Sequence, residues 1–348
     1  MKWKPKQTWV IYASLVEGHF DPAGRRDQEL VDALVEAGVP DEQITFLADQ
    51  EATAENVLAA ISAVGEQAEE QDLLLFIFSG HGTLHRRDED GWTNRYMVEG
   101  DDVLTSQAVI DAIEESFGGH LAVIIADNCM SGATVDDVEA HEGEVSIAAL
   151  SSTASFDVSW TGWLLITQLI WLVEGQPWLD ANGDGAITLE DFFTFVEEEM
   201  ALVRGFKPSW YLPEDLEDLT FHKNLPEKAH EREHERVHAA NEGKRAYGRI
   251  LTVDEENETA EVQWLDRFGV ATSEVSLVDC VALTFEEHEV GTVVLLVEAG
   301  SQAGKKGARG TVEETFLGLH LVRFDDGDEE DPASLYDWVG YKRLAVEE

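Results

Sequence analysis

Leu73-Leu74-Leu75-Phe76-Ile77-Phe78 runs directly into Ser79-Gly80-His81-Gly82, and Leu121-Ala122-Val123-Ile124-Ile125-Ala126 runs directly into Asp127-Asn128-Cys129-Met130-Ser131-Gly132. Six-residue apolar runs that stop at small residues predict strands buried on both faces. In an open parallel sheet, reactive groups collect just beyond the carboxyl ends of such strands. One strand then delivers a histidine and the other a cysteine to the same edge. A thiol beside an imidazole is the minimum for nucleophilic catalysis by cysteine.

The flanking sequence extends this pattern in both directions. Trp9–Val16 and Ile44–Leu47 predict further strands, and Asp27–Ala37, stopped by Gly38, predicts a helix. Thr53 is placed to cap a helix over Ala54–Val64. Ser106–Phe117 predicts another helix, Val145–Leu150 a strand, Ser151–Ser159 a polar loop, and Trp163–Glu174 an apolar helix. Strands alternating with helices imply an α/β fold, a mostly parallel sheet covered on both faces.

The two motifs together, Ser-Gly-His-Gly and Asp-x-Cys-x-Ser-Gly behind apolar blocks, resemble the caspase/metacaspase/legumain clan of cysteine proteases. The interval of 48 positions from His81 to Cys129 agrees with the roughly 50 of caspases. Asp127-Asn128-Cys129 is more similar to the Asp-Cys-Cys of metacaspases than to the Gln-Ala-Cys of caspases. The resemblance covers about residues 8–205 in pattern and implies the clan's three-layer α/β/α fold. It also implies a His-Cys dyad: Cys129 attacks the scissile carbonyl, His81 protonates the leaving amine, and the N–H groups of Gly82 and Cys129 hold the oxyanion. Asp127 falls where metacaspases place the acid of a pocket for arginine or lysine before the cleaved bond. Asp157 is a second candidate acid. The rival reading is an inactive protein of this fold that only binds partners; intact His81 and Cys129 argue against it.

Asp180-Ala-Asn-Gly-Asp-Gly-Ala-Ile-Thr-Leu-Glu-Asp191 fits the EF-hand calcium loop. The oxygens would come from Asp180, Asn182, Asp184, the Ala186 carbonyl, Thr188 and Asp191, with Asp where Glu usually closes the sphere. Ca2+ is therefore the expected cofactor, and no organic cofactor is implied.

Residues 1–205 read as the peptidase-like domain and 206–245 as a linker with a charged helix over Glu227–Asn241. Within it His230-Glu231-Arg232-Glu233-His234 formally fits the zinc-protease pattern HExxH. A helix charged on every side reads better as solvated, although His230, His234 and His238 would share one face. Beyond it the pattern turns to short alternating strands. Gly248–Val253 with Ala260–Asp266, then Gly310–Glu314 with Leu319–Gly327, form a weak repeat resembling tandem Tudor or KOW barrels, over 246–285 and 286–348. Trp264, Phe268, Phe324 and Trp338 would line pockets or fill the barrel cores, and a protein partner is the expected ligand.

Seventy-one acidic against 24 basic residues give a net charge of −47. Such a surface repels nucleic acid and anionic membranes and suits a basic peptide or bound cations; solubility in a salt-rich cytoplasm accounts for it equally well. The two cysteines, Cys129 and Cys280, imply no disulfide framework. The apolar run after Lys2, Lys4 and Lys6 is short and closed by Glu17, so it reads as a strand and not a leader. A cytoplasmic protein is the expectation.

Overall fold

The computed structural model describes residues 1–16, 25–87, 91–159, 163–204, 206–229, 231–241, 244–266, 269–282, 289–290, 293–296, 308–317, 319–325, 336–340 and 344–346. The first module runs β1 (Thr8–Ser14), α1 (Asp27–Glu36), β2 (Ile44–Ala48), α2 (Ala54–Gly65), β3 (Leu73–Ser79), a small sheet of β4 (Gly82–Arg87), β5 (Gly91–Tyr96) and β6 (Leu104–Thr105), then α3 (Ser106–Ser116), β7 (Leu121–Asp127), α4 (Gly132–Glu139), β8 (Ser146–Ser151) and α5 (Leu164–Glu174). It continues through β9 (Ala186–Thr188), α6 (Leu189–Arg204), β10 (Trp210–Tyr211), α7 (Glu214–Glu217) and β11 (Thr220–Lys223).

The main sheet has the order β10-β8-β7-β3-β1-β2. Its pairings are parallel except for β10 on β8. β1 is buried along its whole length. Val10 and Tyr12 face a core shared with α1, α5 and α6, while Trp9, Ile11 and Ala13 face one shared with α2, α3 and α4. This is the covered, mostly parallel sheet that the apolar runs predict. The chain reverses direction across the sheet between β1 and β3, and the crevice outside the carboxyl ends at such a point is where α/β sheets place their sites. Thr53 and Thr105 cap α2 and α3, accepting from the N–H of Asn56 and Ala108 at 3.1 Å each.

Two five-stranded antiparallel sheets follow: β12 (Arg236–Asn241), β13 (Lys244–Asp254), β14 (Thr259–Asp266), β15 (Gly269–Ser276) and β16 (Val281–Ala282), then β17 (Val293–Leu296), β18 (Arg309–Phe316), β19 (Leu319–Phe324), β20 (Tyr336–Gly340) and β21 (Leu344–Val346). Their strand orders, β15-β14-β13-β12-β16 and β20-β19-β18-β17-β21, are the same topology twice. The weak repeat is structural: Gly248 pairs with Trp264 and Gly310 with Phe324, and a register shift follows at Ile250/Thr252 and at Val312/Glu314. A Cβ on either glycine would meet a valine methyl at 2.6 Å, from Val262 or Val322. Trp264 and Phe324 are buried as core; the side chains of Phe268 and Trp338 lie outside the described residues.

The charged helix expected over Glu227–Asn241 does not form. Glu231–His234 is a turn and the chain then enters β12, which pairs with β13 and β16. Val237 is fully buried in the first β module, and extended pairing gives it that core, whereas a helix charged all round has no face to bury. The span 206–245 is therefore not a helical linker. Its first part completes the α/β module, with β10 on the main sheet and β11 on β9, and its last part opens the first β module. His230 and the side chain of His238 lie outside the described residues. His234, on a turn and edge-on to Trp178 at 6.2 Å between ring centroids, has its imidazole pushed down to about 4, chiefly by burial. The turn removes the helical face that HExxH chemistry requires.

Both β modules dock on α6. Glu199, fully buried, pairs with Arg249 and with Arg236 at 2.9 Å, and the Arg249 guanidinium lies 4.9 Å from the Phe195 ring centroid. The second module brings Phe316, Leu317 and Leu319 against Ala201 and Ala154. Among the described residues no helix is long and apolar enough to cross a membrane.

Candidate functional site

The parallel register of β3 and β7 sets Ser79 opposite Asp127. His81 and Cys129 each follow two residues later, past the ends of strands that lie about 4.8 Å apart. The register continues past the strands, because the Gly80 N–H donates to the Asp127 carbonyl at 3.2 Å. The His81 backbone is fixed from the other side, its carbonyl accepting from Met97 N at 3.0 Å.

The cysteine loop is held by two asparagines that sequence reading did not single out. Asn128, 1% exposed, donates from Nδ2 to Asn94 Oδ1 and to its neighbour's carbonyl on Cys129, both at 2.8 Å. Asn94, on β5, donates to the carbonyls of Cys129 at 3.2 Å and Met130 at 2.9 Å. Met130 adopts a positive φ of 59°, a conformation a non-glycine residue holds only when its surroundings fix it. Its N–H donates to the Asp157 carbonyl at 2.7 Å. The Ser131 hydroxyl accepts from Ser152 N and Thr153 N at 3.2 and 3.3 Å. The loop following β8 thus clasps the loop following β7. α4 begins immediately afterwards at Gly132.

Gly82 packs so closely that a Cβ there would meet Asn128 Nδ2 at 1.8 Å and the Cys129 carbonyl at 2.5 Å. Its backbone N–H is aimed at the Cys129 sulfur, favouring the thiolate, and the thiol donates to the Ser159 carbonyl at 3.5 Å. The net balance runs the other way. Burial pushes the Cys129 thiol up, and the charges of Asp127 and Asp157 push it further in the same direction.

Asp157 is buried and takes the Val158 N–H at 2.8 Å; Asp127 is half-buried at the end of β7. A third acid joins them. Asp27, 1% exposed at the start of α1, accepts from Ser14 Oγ at 2.7 Å and from Arg25 Nε at 3.1 Å. Arg25 also reaches Asp49 at 2.5 Å. Asp27 and Asp127 both act on the buried hydroxyl of Tyr12, which shares a hydrogen bond with Ser79 at 3.0 Å. Asp27, paired with Arg25, and Asp127 thus lie at the carboxyl ends of β1, β3 and β7, and Asp127 and Asp157 act on the cysteine. In the sequence Asp27 is indistinguishable from an ordinary first-turn acid.

The 180–191 loop lies away from this edge, ahead of α6. Gly183 and Gly185 take positive φ of 75° and 83°, as the tight turn of a calcium loop demands. Asp180 gathers the N–H groups of Gly183, Asp184 and Gly185 within 3.1 Å, and Asn182 and Asp184 accept further loop N–H groups. Asp191 instead closes a capping box on α6: its Oδ2 takes Thr188 N at 2.9 Å and Thr188 Oγ1 at 2.6 Å. Hard oxygens on Asp180, Asn182, Asp184 and Ala186 fit calcium, while the closing acid is engaged with Thr188. Among the described residues no three His, Cys, Asp or Glu side chains converge on one point.

The family model for the caspase domain, peptidase C14, matches residues 28–229, more than half of the chain. Metacaspase-4 of Arabidopsis thaliana is 29% identical over 117 residues, which are 31% of this chain and 28% of that protein. The chain thus spans under a third of the length of this curated relative. A solved protein of Geobacter sulfurreducens superposes with a TM-score of 0.45 at 15% identity, over 63% of this chain and all of that one.

Proposed function

The chain belongs to the caspase domain family of cysteine peptidases, and from that premise we propose an endopeptidase that cuts after arginine or lysine, with Cys129 as nucleophile and His81 as its acid–base partner. The observation that supports the reading is the parallel register of β3 and β7, after whose last pair, Ser79 and Asp127, His81 and Cys129 each follow by two residues. In the proposed reaction the Cys129 proton passes to His81 as sulfur attacks the scissile carbonyl. The N–H of Gly82, already close to the sulfur, and that of Cys129 stabilise the oxyanion. Imidazolium then protonates the leaving amine, a thioester remains, and water activated by His81 releases the acid product.

The acids give the basic preference a second role. At rest burial and the charges of Asp127 and Asp157 push the thiol up, against the thiolate. A guanidinium or ammonium bound beside those acids offsets their charges and favours the thiolate only when substrate is present. Calcium is proposed as a bound ion of the 180–191 loop, on Asp180, Asn182, Asp184 and the Ala186 carbonyl, with Thr188 and Asp191 available to complete it. Its place is the root of α6, to which both β modules attach; no catalytic step runs through it. The test of the function is cleavage of a peptide library by the full chain and by Cys129→Ala. The reading expects basic residues before the cleaved bond and no cleavage by the variant. Cleavage surviving in the variant, or acidic residues at that position, overturns it.

A further inference from the structure

A cleft of about 590 Å³ opens between the α/β module and the second β module. Ala154, Ser155 and Phe156 line one wall, and Trp210 with Glu197 the floor. Glu313, Glu314 and Leu321 of β18 and β19 line the other wall. We propose that this cleft binds a basic segment of the substrate flanking the cleaved bond, making the second β module part of the peptidase's substrate site. The inference rests on the peptidase reading above.

Position is the first argument. Cys129 is followed by Met130, whose N–H is bonded to the Asp157 carbonyl, and Asp157 is joined to Phe156 of the cleft wall. Gly132 packs against that wall, its Cβ position 2.3 Å from Ser155 N. Those steps span at most about 13 Å, or about four residues of extended chain. A peptide bound across Cys129 therefore reaches the cleft within a few residues.

Comparing the two β modules gives a second argument. They share one topology and one register shift, so Glu313 and Glu314 correspond to Leu251 and Thr252, and Leu321 corresponds to Glu261. The module that faces the cleft has acids where its twin has none, and an apolar residue where its twin exposes an acid. Both glutamates are exposed, on the strand where the extra residue of the shift turns the side chains outward.

The chemistry is the third. Lys207 is the one basic residue among the described residues of the lining, and acids and an aromatic face surround it. Its ammonium pairs with Glu197 and lies 4.4 Å from the Phe316 ring centroid; burial pushes it down, and the charge of Glu314 opposes that. Carboxylates with aromatic faces are the surroundings that hold lysine and arginine.

The test uses the full chain and Glu313→Gln/Glu314→Gln, both substitutions being on exposed side chains. Three peptides carry arginine before the cleaved bond: a short one, one of about twelve residues with lysines about four residues away on either side, and its counterpart with glutamates there. The proposal expects the native protein to favour the lysine peptide over the glutamate peptide by about tenfold in kcat/KM. The variant is expected to lose most of that preference while cutting the short peptide normally. Binding of the lysine peptide to Cys129→Ala protein should weaken several-fold when the two glutamine changes are added. Cleavage without dependence on the distant charge overturns the cleft and leaves the peptidase standing. Charge-dependent binding without any cleavage overturns the peptidase and leaves the cleft. Neither binding nor discrimination overturns the cleft outright.

Discussion

The carboxyl edge of the main sheet and the outer face of α6 both bury charge, and they use it in opposite ways. On α6 the fully buried Glu199 is met by two arginines from the first β module, Arg249 and Arg236, whose guanidiniums lie 4.9 and 6.0 Å from the Phe195 ring centroid. Those charges are spent on attachment. At the sheet edge Asp127 and Asp157 act on a thiol, raising it, while the Gly82 N–H opposes them. Burial of a charge therefore does not identify a site. What distinguishes the edge is that its charges converge on a nucleophile. Substitutions at the edge should remove activity and spare stability, and those on α6 should do the reverse.

The largest effect is expected from Cys129→Ala and His81→Ala. Each should lower kcat/KM by about a thousandfold or more, with melting temperature nearly unchanged, because both residues lie past the strand ends and outside the two cores. Thermal melts beside steady-state cleavage check both halves; a variant that unfolds would erase the contrast between edge and anchor. Asp127→Asn comes next, with about a ten- to hundredfold loss on arginine peptides and little change in melting. Glu199→Ala is the converse case. Leaving Arg249, 3% exposed, without its carboxylate should destabilise the chain by about 3–5 kcal/mol. Denaturant melts measure this, and the protein that stays folded should keep its kcat on a short peptide.

The smallest effect is a shift in pH. The Cys129 thiol is raised, so its thiolate appears only as pH climbs through a value above that of a free cysteine. Removing the Asp127 charge favours the anion, so Asp127→Asn should move the midpoint of Cys129 alkylation to lower pH. A midpoint that stays put or rises would mean that Asp127 does not act on the sulfur.

The edge was legible in the sequence because its signals are local. An apolar run that stops at a reactive residue fixes a strand end, and two such runs in a parallel sheet fix a common edge. The partners that shape the site come from far away in the chain and carried no such signal. Asn94, on a hairpin, looks like any turn asparagine, yet it holds the Cys129 and Met130 carbonyls across 35 and 36 residues. Asp27 needed the packing of β1 against β3 to be seen beside Asp127. The error over residues 227–241 has the same origin. Charge on every side suggests a solvated helix, but Val237 finds its core only through pairing with strands that come later. The weak repeat survived because glycine, bulky partner and register shift recur together at Gly248 and Gly310.

Active-site labelling of the full chain tests the central claim most directly. Cys129 and Cys280 are the two cysteines, and no lysine or arginine occurs between Arg95 and Arg204. The segment after Cys129 is the formed helix α4 followed by a short connection to β8. A thiol-reactive peptidyl ketone ending in arginine should therefore add one mass to an uncut chain, mapped to Cys129 and absent from Cys129→Ala. The same reagent ending in aspartate should leave the protein unmodified. Labelling at Cys280, equal labelling by both reagents, or a Cys129-dependent break between residues 133 and 160 would contradict the account.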